Sequence, residues 1–328
     1  MSMTFERKRF PLVISTLLVT SMISLSQPGN FLIDEAATAT LQLTGYPDWI
    51  EIDKKSVWIS NGGLNLMQRI NAQTNVLEAE VRVNNPCAAF AIGHGSVWVA
   101  SCGDKLIVRI SLENNQILAA IPLKIADEEG SISTDGKNVW ALSDAGGTLV
   151  KIDPATNKVA ASIAVKPNSF AVASGFGAVW ITNTGAMESN NIGSVQRIDP
   201  RTLKIVATIT VGRQPRFLAT GEKGVWVFNQ GDGSVSRIDP QTNLVAATIE
   251  CQVPGTGGDI SAGEGYVWVR AKKELLLVID PRSNKVIEKF GPPAGSGAVR
   301  AGEGFVWVSA HDVNKIWKLN PDIIRKKN

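Results

Sequence analysis

One dipeptide recurs along the chain at an almost constant interval. Val-Trp ends at Trp58, Trp98, Trp140, Trp180, Trp226, Trp268 and Trp307, with spacings of 40, 42, 40, 46, 42 and 39 residues. A period of about 40–45 residues, written in short runs of Val, Ile, Thr and Trp, marks a β-propeller. Each unit is a small sheet that must stack against its neighbours to bury its faces. Seven marks therefore predict an all-β, seven-bladed β-propeller with four-stranded antiparallel blades. In the unit around Trp226, RFLAT, VWVFN, SVSRID and LVAATIE read as strands from inside to outside. Their alternation is imperfect, as expected where neighbouring blades cover both faces of a sheet. The repeated tryptophans, flanked by Val at one place in each unit, are expected to pack between sheets rather than to form a ligand cage.

The punctuation agrees. Gly-Glu-Gly before Tyr266 and Phe305, Gly-Phe-Gly before Ala178 and Gly-His-Gly before Ser96 are hairpin turns whose glycines supply positive φ. IDPATN, IDPRTL, IDPQTN and IDPRSN join third and fourth strands, with Asp then Pro presetting a type I turn. No helix follows these Gly-x-Gly sequences to receive a phosphate. The last unit ends in DIIRKKN without a fourth strand, whereas ATATLQLTGYP (Ala37 to Pro47) matches the outer-strand runs VAATITVG and LVAATIEC. The N-terminal strand is thus expected to close the last blade and remove a free edge. The predicted organisation is a signal peptide over 1–26, a linker over 27–36, the propeller over 37–321 and a charged tail over 322–328.

The start of the chain carries Arg7, Lys8 and Arg9 before an apolar stretch from Phe10 to about Leu25, the layout of a secretory signal. That stretch is short for a span of about 20 residues; an uncleaved N-terminal anchor is the alternative. The expectation is a periplasmic or secreted monomer with no membrane contact beyond this segment. A formal net charge of +3, part of it in that segment, argues against nucleic acid as a partner. Folding the hairpin about His94–Gly95 sets Cys87 opposite Cys102, within disulfide range in an oxidising compartment. Cys251 is left unpaired.

From about Ala37 to Pro321 the repeat resembles the YVTN-type β-propellers and the virginiamycin B (streptogramin) lyase-like superfamily, through GEGYVWV, GEGFVWVS, RIDPQTNLVAATI and RIDPRTLKIVATITVGRQP. The resemblance implies the propeller fold. Lyases of that superfamily open a cyclic depsipeptide ester by elimination, with a histidine base and Mg²⁺, and their repeats read Trp-Phe-Thr-Glu with Pro-His in some blades. Here the third residue after each Trp is Asn61, Ser101, Ser143, Asn183, Asn229, Ala271 or Ala310, never Glu. Asp48, Cys87, Asn168 and Arg216 follow the inner-strand prolines, never His. No lyase catalytic residue can be carried over, so no catalytic residue, metal ligand or cofactor is expected.

Loops between second and third strands share one face of a propeller with the connections between blades, and ligands meet the central opening there. The predicted ligand-binding lining is Asp48, Asn61, Asn183, Arg216, Asn229, Asp259, Arg300 and His311, with Asp144, Asn168 and Arg213 nearby. The longest insertion, NTGAMESNNIGS, brings Glu188 over the same face. His94 falls in a turn on the opposite face, and Asp127 to Glu129 read as a solvated loop that binds cations weakly at best. The leading expectation is a non-enzymatic exported binding or scaffold protein that engages a protein, peptide or glycan. The alternative is a lyase- or hydrolase-type enzyme of altered, Mg²⁺-assisted chemistry acting on small molecules.

Overall fold

The computed structural model describes residues 29–325 apart from 126–128, 130, 131, 145 and 186–190. The segment read as a signal peptide lies outside them. Among the described residues no helix is long and apolar enough to cross a membrane.

Seven antiparallel sheets form the ring. In blade one the strands run Pro47–Asp53, Ser56–Asn61, Leu66–Asn71 and Leu77–Arg82, from inside to outside. In blade five they are Pro215–Gly221, Gly224–Asn229, Ser234–Asp239 and Leu244–Glu250, matching the four runs read around Trp226. The second strands of blades one, two, four and five are buried at every residue, whereas the outer strands are mostly exposed. Alternation in the sequence therefore weakens where a strand is covered on both faces.

The seven repeat tryptophans are all 0% exposed. Trp98, Trp180, Trp226 and Trp268 donate from Nε1 to glycine carbonyls of their own hairpins at 3.0–3.1 Å. Packed between sheets, they are core residues and line no ligand cage.

A basic side chain on the third strand fastens most blades to the next. Arg69, Arg109, Arg197 and Arg237 lie opposite the tryptophan of their blade and over its ring. Each guanidinium then donates to a backbone carbonyl and an asparagine amide oxygen in the following blade. Arg237 Nη1, for example, meets Pro281 O at 2.7 Å and Asn284 Oδ1 at 2.9 Å. The asparagines end the turns between third and fourth strands, Asp-Pro turns for all but Asn115, and Asn115, Asn157, Asn243 and Asn284 all have φ of 54–62°. The turn closes between residues four apart, as in Asn243 N to Asp239 O at 2.9 Å. It is therefore one residue wider than the type I turn the Asp-Pro pair suggested, and Asn supplies the left-handed position.

The closure is the one the sequence predicted. Strand β2 (Ala37–Gln42) pairs antiparallel with Lys315–Leu319 of blade seven. Lys318 then reaches Ala72 O in blade one at 2.6 Å. Residues 27–36, expected to be a linker, instead contain strand β1 (Gly29–Leu32), which adds parallel to the outer edge of blade six, and helix α1 (Ile33–Ala36). Ile33 is 1% exposed, and Asp34 accepts from Trp317 Nε1 at 2.7 Å. This strap joins blades six and seven at the junction where Val278, not arginine, faces Trp268. The expected tail likewise begins with a short helix, Asp322–Arg325, that buries Ile324.

Candidate functional site

The proposed lining residues separate into three groups, because strand ends point in different directions. Asn61, Asn183 and Asn229 are at most 6% exposed and serve the scaffold. Asn61 donates to Thr44 O at 2.7 Å and Gln68 Oε1 at 3.0 Å, and accepts from Tyr46 N at 2.8 Å. Asn183 holds Pro167 O and the Gly185 amide. Asn229 donates to Ser234 and Ser236. A side chain that ties a loop to its strand in this way is not offered to a ligand.

Asp259 and Arg300 line the central channel, a cavity of about 270 Å³, rather than the mouth above it. Arg300 donates to Asp259 and, at 2.6 Å, to Glu51. Burial pushes both carboxyls above their usual range, against the pull of Arg300. Burial also opposes the guanidinium charge, but two carboxylates sharing one cation outweigh it and raise the pKa of Arg300.

The third group surrounds the mouth. Tyr46, Asp48, Glu129, Lys272, Ser296 and His311 line a cavity of about 250 Å³ whose inner wall includes Trp49 and Phe217. Phe217 lines both this cavity and the channel, and packs 5.6 Å from Trp49 and 5.5 Å from Phe170. Phe217 thus stands between mouth and channel. Arg216, stacked on Phe170, pairs with Glu129 at 3.1 Å. His311 stacks on Tyr46 with centroids 4.0 Å apart, its Nε2 lies 3.2 Å from the tyrosine hydroxyl, and its Nδ1 lies 2.5 Å from Asp312. Burial lowers the imidazole pKa against the pull of Asp312, with Arg270 and Lys272 adding to the lowering.

Asp48 is the electrostatic centre of the mouth. It is half-buried, and its carboxylate accepts no hydrogen bond among the described residues. Burial, then the charges of Glu129 and Asp259, push its carboxyl from 3.8 up to about 7. Behind it Arg270 is fully buried and, among the described residues, donates to the carbonyls of Ser309, Ala271 and Ala294. Burial lowers Arg270 to about 10.

Of the eight predicted residues, then, Asp48 and His311 line the mouth and Arg216 supports it through Glu129. Asp144 is the exposed last residue of its strand and Asn168 lies on an exposed turn, the Arg213 backbone is held by Asp232, and Glu188 and Asp127 fall outside the described residues. Tyr46, Glu129 and Lys272 were missed as site residues. Lys272 carried a signal: four residues after the repeat Trp the other units carry Gly62, Cys102, Asp144, Thr184, Gln230 and His311, and only VWVRAKK places a lysine there. Among the described residues no group of three or more His, Cys, Asp or Glu side chains is arranged to hold a metal.

Cys87, on the rim of the mouth, is bonded to Cys102 with Cα atoms 6.0 Å apart. The register slips between Ala91 and Pro86, which sits opposite Ser101, so the cysteines meet diagonally rather than face to face. Cys251 is free and buried, and burial raises its thiol to about 12.

A family described as a repeat of unknown function (DUF6923) matches residues 65–212. No curated protein matches by sequence. Among solved structures, virginiamycin B lyase from Staphylococcus aureus superposes with a TM-score of 0.69 at 20% identity, covering 86% of this chain and 98% of that one. A catalytically inactive variant of that enzyme with quinupristin gives 0.72 at 18% identity, over 86% and 98%. Hydrazine synthase from Kuenenia stuttgartiensis gives 0.71 at 14% identity, over 85% and 97%. At these identities the likeness is one of fold, the seven-bladed β-propeller.

Proposed function

We propose that this chain is an exported binding propeller that engages a protein, peptide or glycan at the mouth of the ring, by placing a hydrogen-bond donor or cation against Asp48. The carrying observation is that carboxylate, half-buried, without a hydrogen-bond donor and with its pKa pushed up to about 7. A half-buried carboxylate among other negative charges is poorly stabilised when ionised, and a ligand N–H or ammonium supplies a charge-assisted partner. The cavity of about 250 Å³ suits one projecting group, a lysine or serine side chain or one edge of a sugar, rather than a whole small molecule. The Cys87–Cys102 bond and the signal-like N-terminus support export.

The test is a thermal-shift panel of amino sugars, oligosaccharides and short basic peptides at about pH 8, where Asp48 is ionised. A ligand that raises the melting temperature of the wild type but not of Asp48→Asn supports the reading. Hits of equal size in both proteins place binding elsewhere.

A second reading rests on the same carboxyl. A group titrating near neutrality beside the Tyr46–His311 pair has the properties of a general base, and so suits lyase- or hydrolase-type chemistry. In its Mg²⁺-assisted form that reading needs a ligand set the described residues do not supply. Turnover of a cyclic depsipeptide ester that is lost in Asp48→Asn, with binding retained, would favour it.

A further inference from the structure

On the opposite face, one blade junction lacks its fastener. Between blades three and four, Lys151 stands where arginine stands at the four clasped junctions, and Leu203 stands where the next blade offers asparagine. Leu203 keeps the left-handed conformation of those asparagines, with φ of 60°. Both halves of the clasp are thus replaced at the same junction. Lys151 Nζ stays 5.7 Å from the centre of the Trp140 ring and has no hydrogen-bond partner among the described residues. The unfilled space is a cavity of about 760 Å³, bounded by the Thr134–Asn138 turn, the Gly175–Ala178 turn, Pro200 and Arg201.

The lining is distinctive. Lys137, Lys151 and Arg201 bring three cations to one opening. Asp135, the carboxylate of the lining, is occupied by the Trp140 indole at 2.9 Å and by the amides of its own turn, and Arg201, whose side chain is exposed, lies 3.8 Å from Asp199 outside the lining. Phe176 is 41% exposed and holds φ of 53°. The corresponding turn residues Glu222 and Glu264 instead accept from the amides of Gly265 and Gly304 in the next blade, each at 2.9 Å. A bulky residue in the left-handed region is unfavourable, and an aromatic left in water gains the fold nothing.

We propose that this cavity is a second binding site, distinct from the mouth, for an acidic peptide segment of a partner protein that carries an apolar side chain beside its carboxylates. The carboxylates meet Lys137, Lys151 and Arg201, and the apolar side chain covers Phe176. Complementary charge sets the preference for an acidic partner, and the open junction provides room for its side chains.

Isothermal titration of the full chain with acetyl-Glu-Phe-Glu-amide tests this, with acetyl-Gln-Phe-Gln-amide as the neutral control. The acidic peptide is expected to bind with a Kd below about 1 mM, and the control about tenfold more weakly. Two variants follow. Lys137→Glu, on an exposed turn, reverses one charge. Lys151→Arg with Leu203→Asn rebuilds the clasp and directs the cation onto the Pro200 carbonyl and the new amide oxygen, away from the opening, while keeping its charge. Each is expected to weaken binding of the acidic peptide about tenfold or more. No binding by the wild type, equal binding of the two peptides, or undiminished binding by either folded variant overturns the proposal. If circular dichroism shows the double variant unfolded, Lys137→Glu decides alone.

Discussion

Replacing Asp48 by Asn makes the electrostatics of the mouth measurable. The folded-state carboxyl titrates at about 7, against 3.8 when unperturbed. One unit corresponds to about 1.4 kcal/mol, so the linked free energy is about 4 kcal/mol. Because the folded pKa is the higher one, the native state holds the proton more tightly than the unfolded chain. Below about pH 4 both states are protonated and Asp48 exacts no penalty. Between about pH 4 and 7 the unfolded chain releases its proton first, and stability falls as pH rises. Above the folded pKa the full penalty applies. Asp48→Asn keeps the shape and cannot ionise, so it should match the wild type near pH 4 and exceed it by up to about 4 kcal/mol near pH 8. Paired urea denaturation curves across that range measure the difference. Glu51 and Asp259, which burial also raises, are present in both proteins and largely cancel. A difference independent of pH, or a wild type that gains on the variant as pH rises, refutes the account of Asp48.

Other outcomes follow from the scaffold. Trp226→Ala empties a fully buried site between blades and should lower stability by about 3–5 kcal/mol in denaturant melts. Arg237→Ala strands Pro281 O and Asn284 Oδ1 and uncovers Trp226, so a loss of about 2–3 kcal/mol is expected from calorimetry. Arg300→Met leaves Glu51 and Asp259 without their shared cation; a loss of about 3–5 kcal/mol is expected at pH 8, shrinking in acid as the carboxyls protonate. Reduction of Cys87–Cys102, which closes a separation of 15 residues, should remove about 3 kcal/mol. Non-reducing mass analysis should meanwhile find one free thiol, that of Cys251.

The sequence alone determined the architecture, because a propeller is built from a unit short enough to be written out seven times. Trp at one place, a turn on each side and four β-rich runs specify a blade locally. The match between Ala37–Gln42 and the other outer strands even specified the closure. What the period could not specify is the direction of a side chain at a strand end. Asn61, Asn229, Asp48 and Arg300 all occupy top-face positions in the repeat, yet two fasten loops, one opens into the mouth and one pairs inside the channel. Those outcomes depend on residues far away in the chain: Glu129 against Arg216, His311 against Tyr46, and Glu51 against Arg300, 249 residues apart. The strap over Gly29–Ala36 escaped the sequence reading for the same reason, since β1 and α1 are defined by the edges they cover and by no pattern of their own. Local periodicity fixes which blades form; only the closed ring brings distant charges together in a water-poor space, and that is where the pKa of Asp48 is decided.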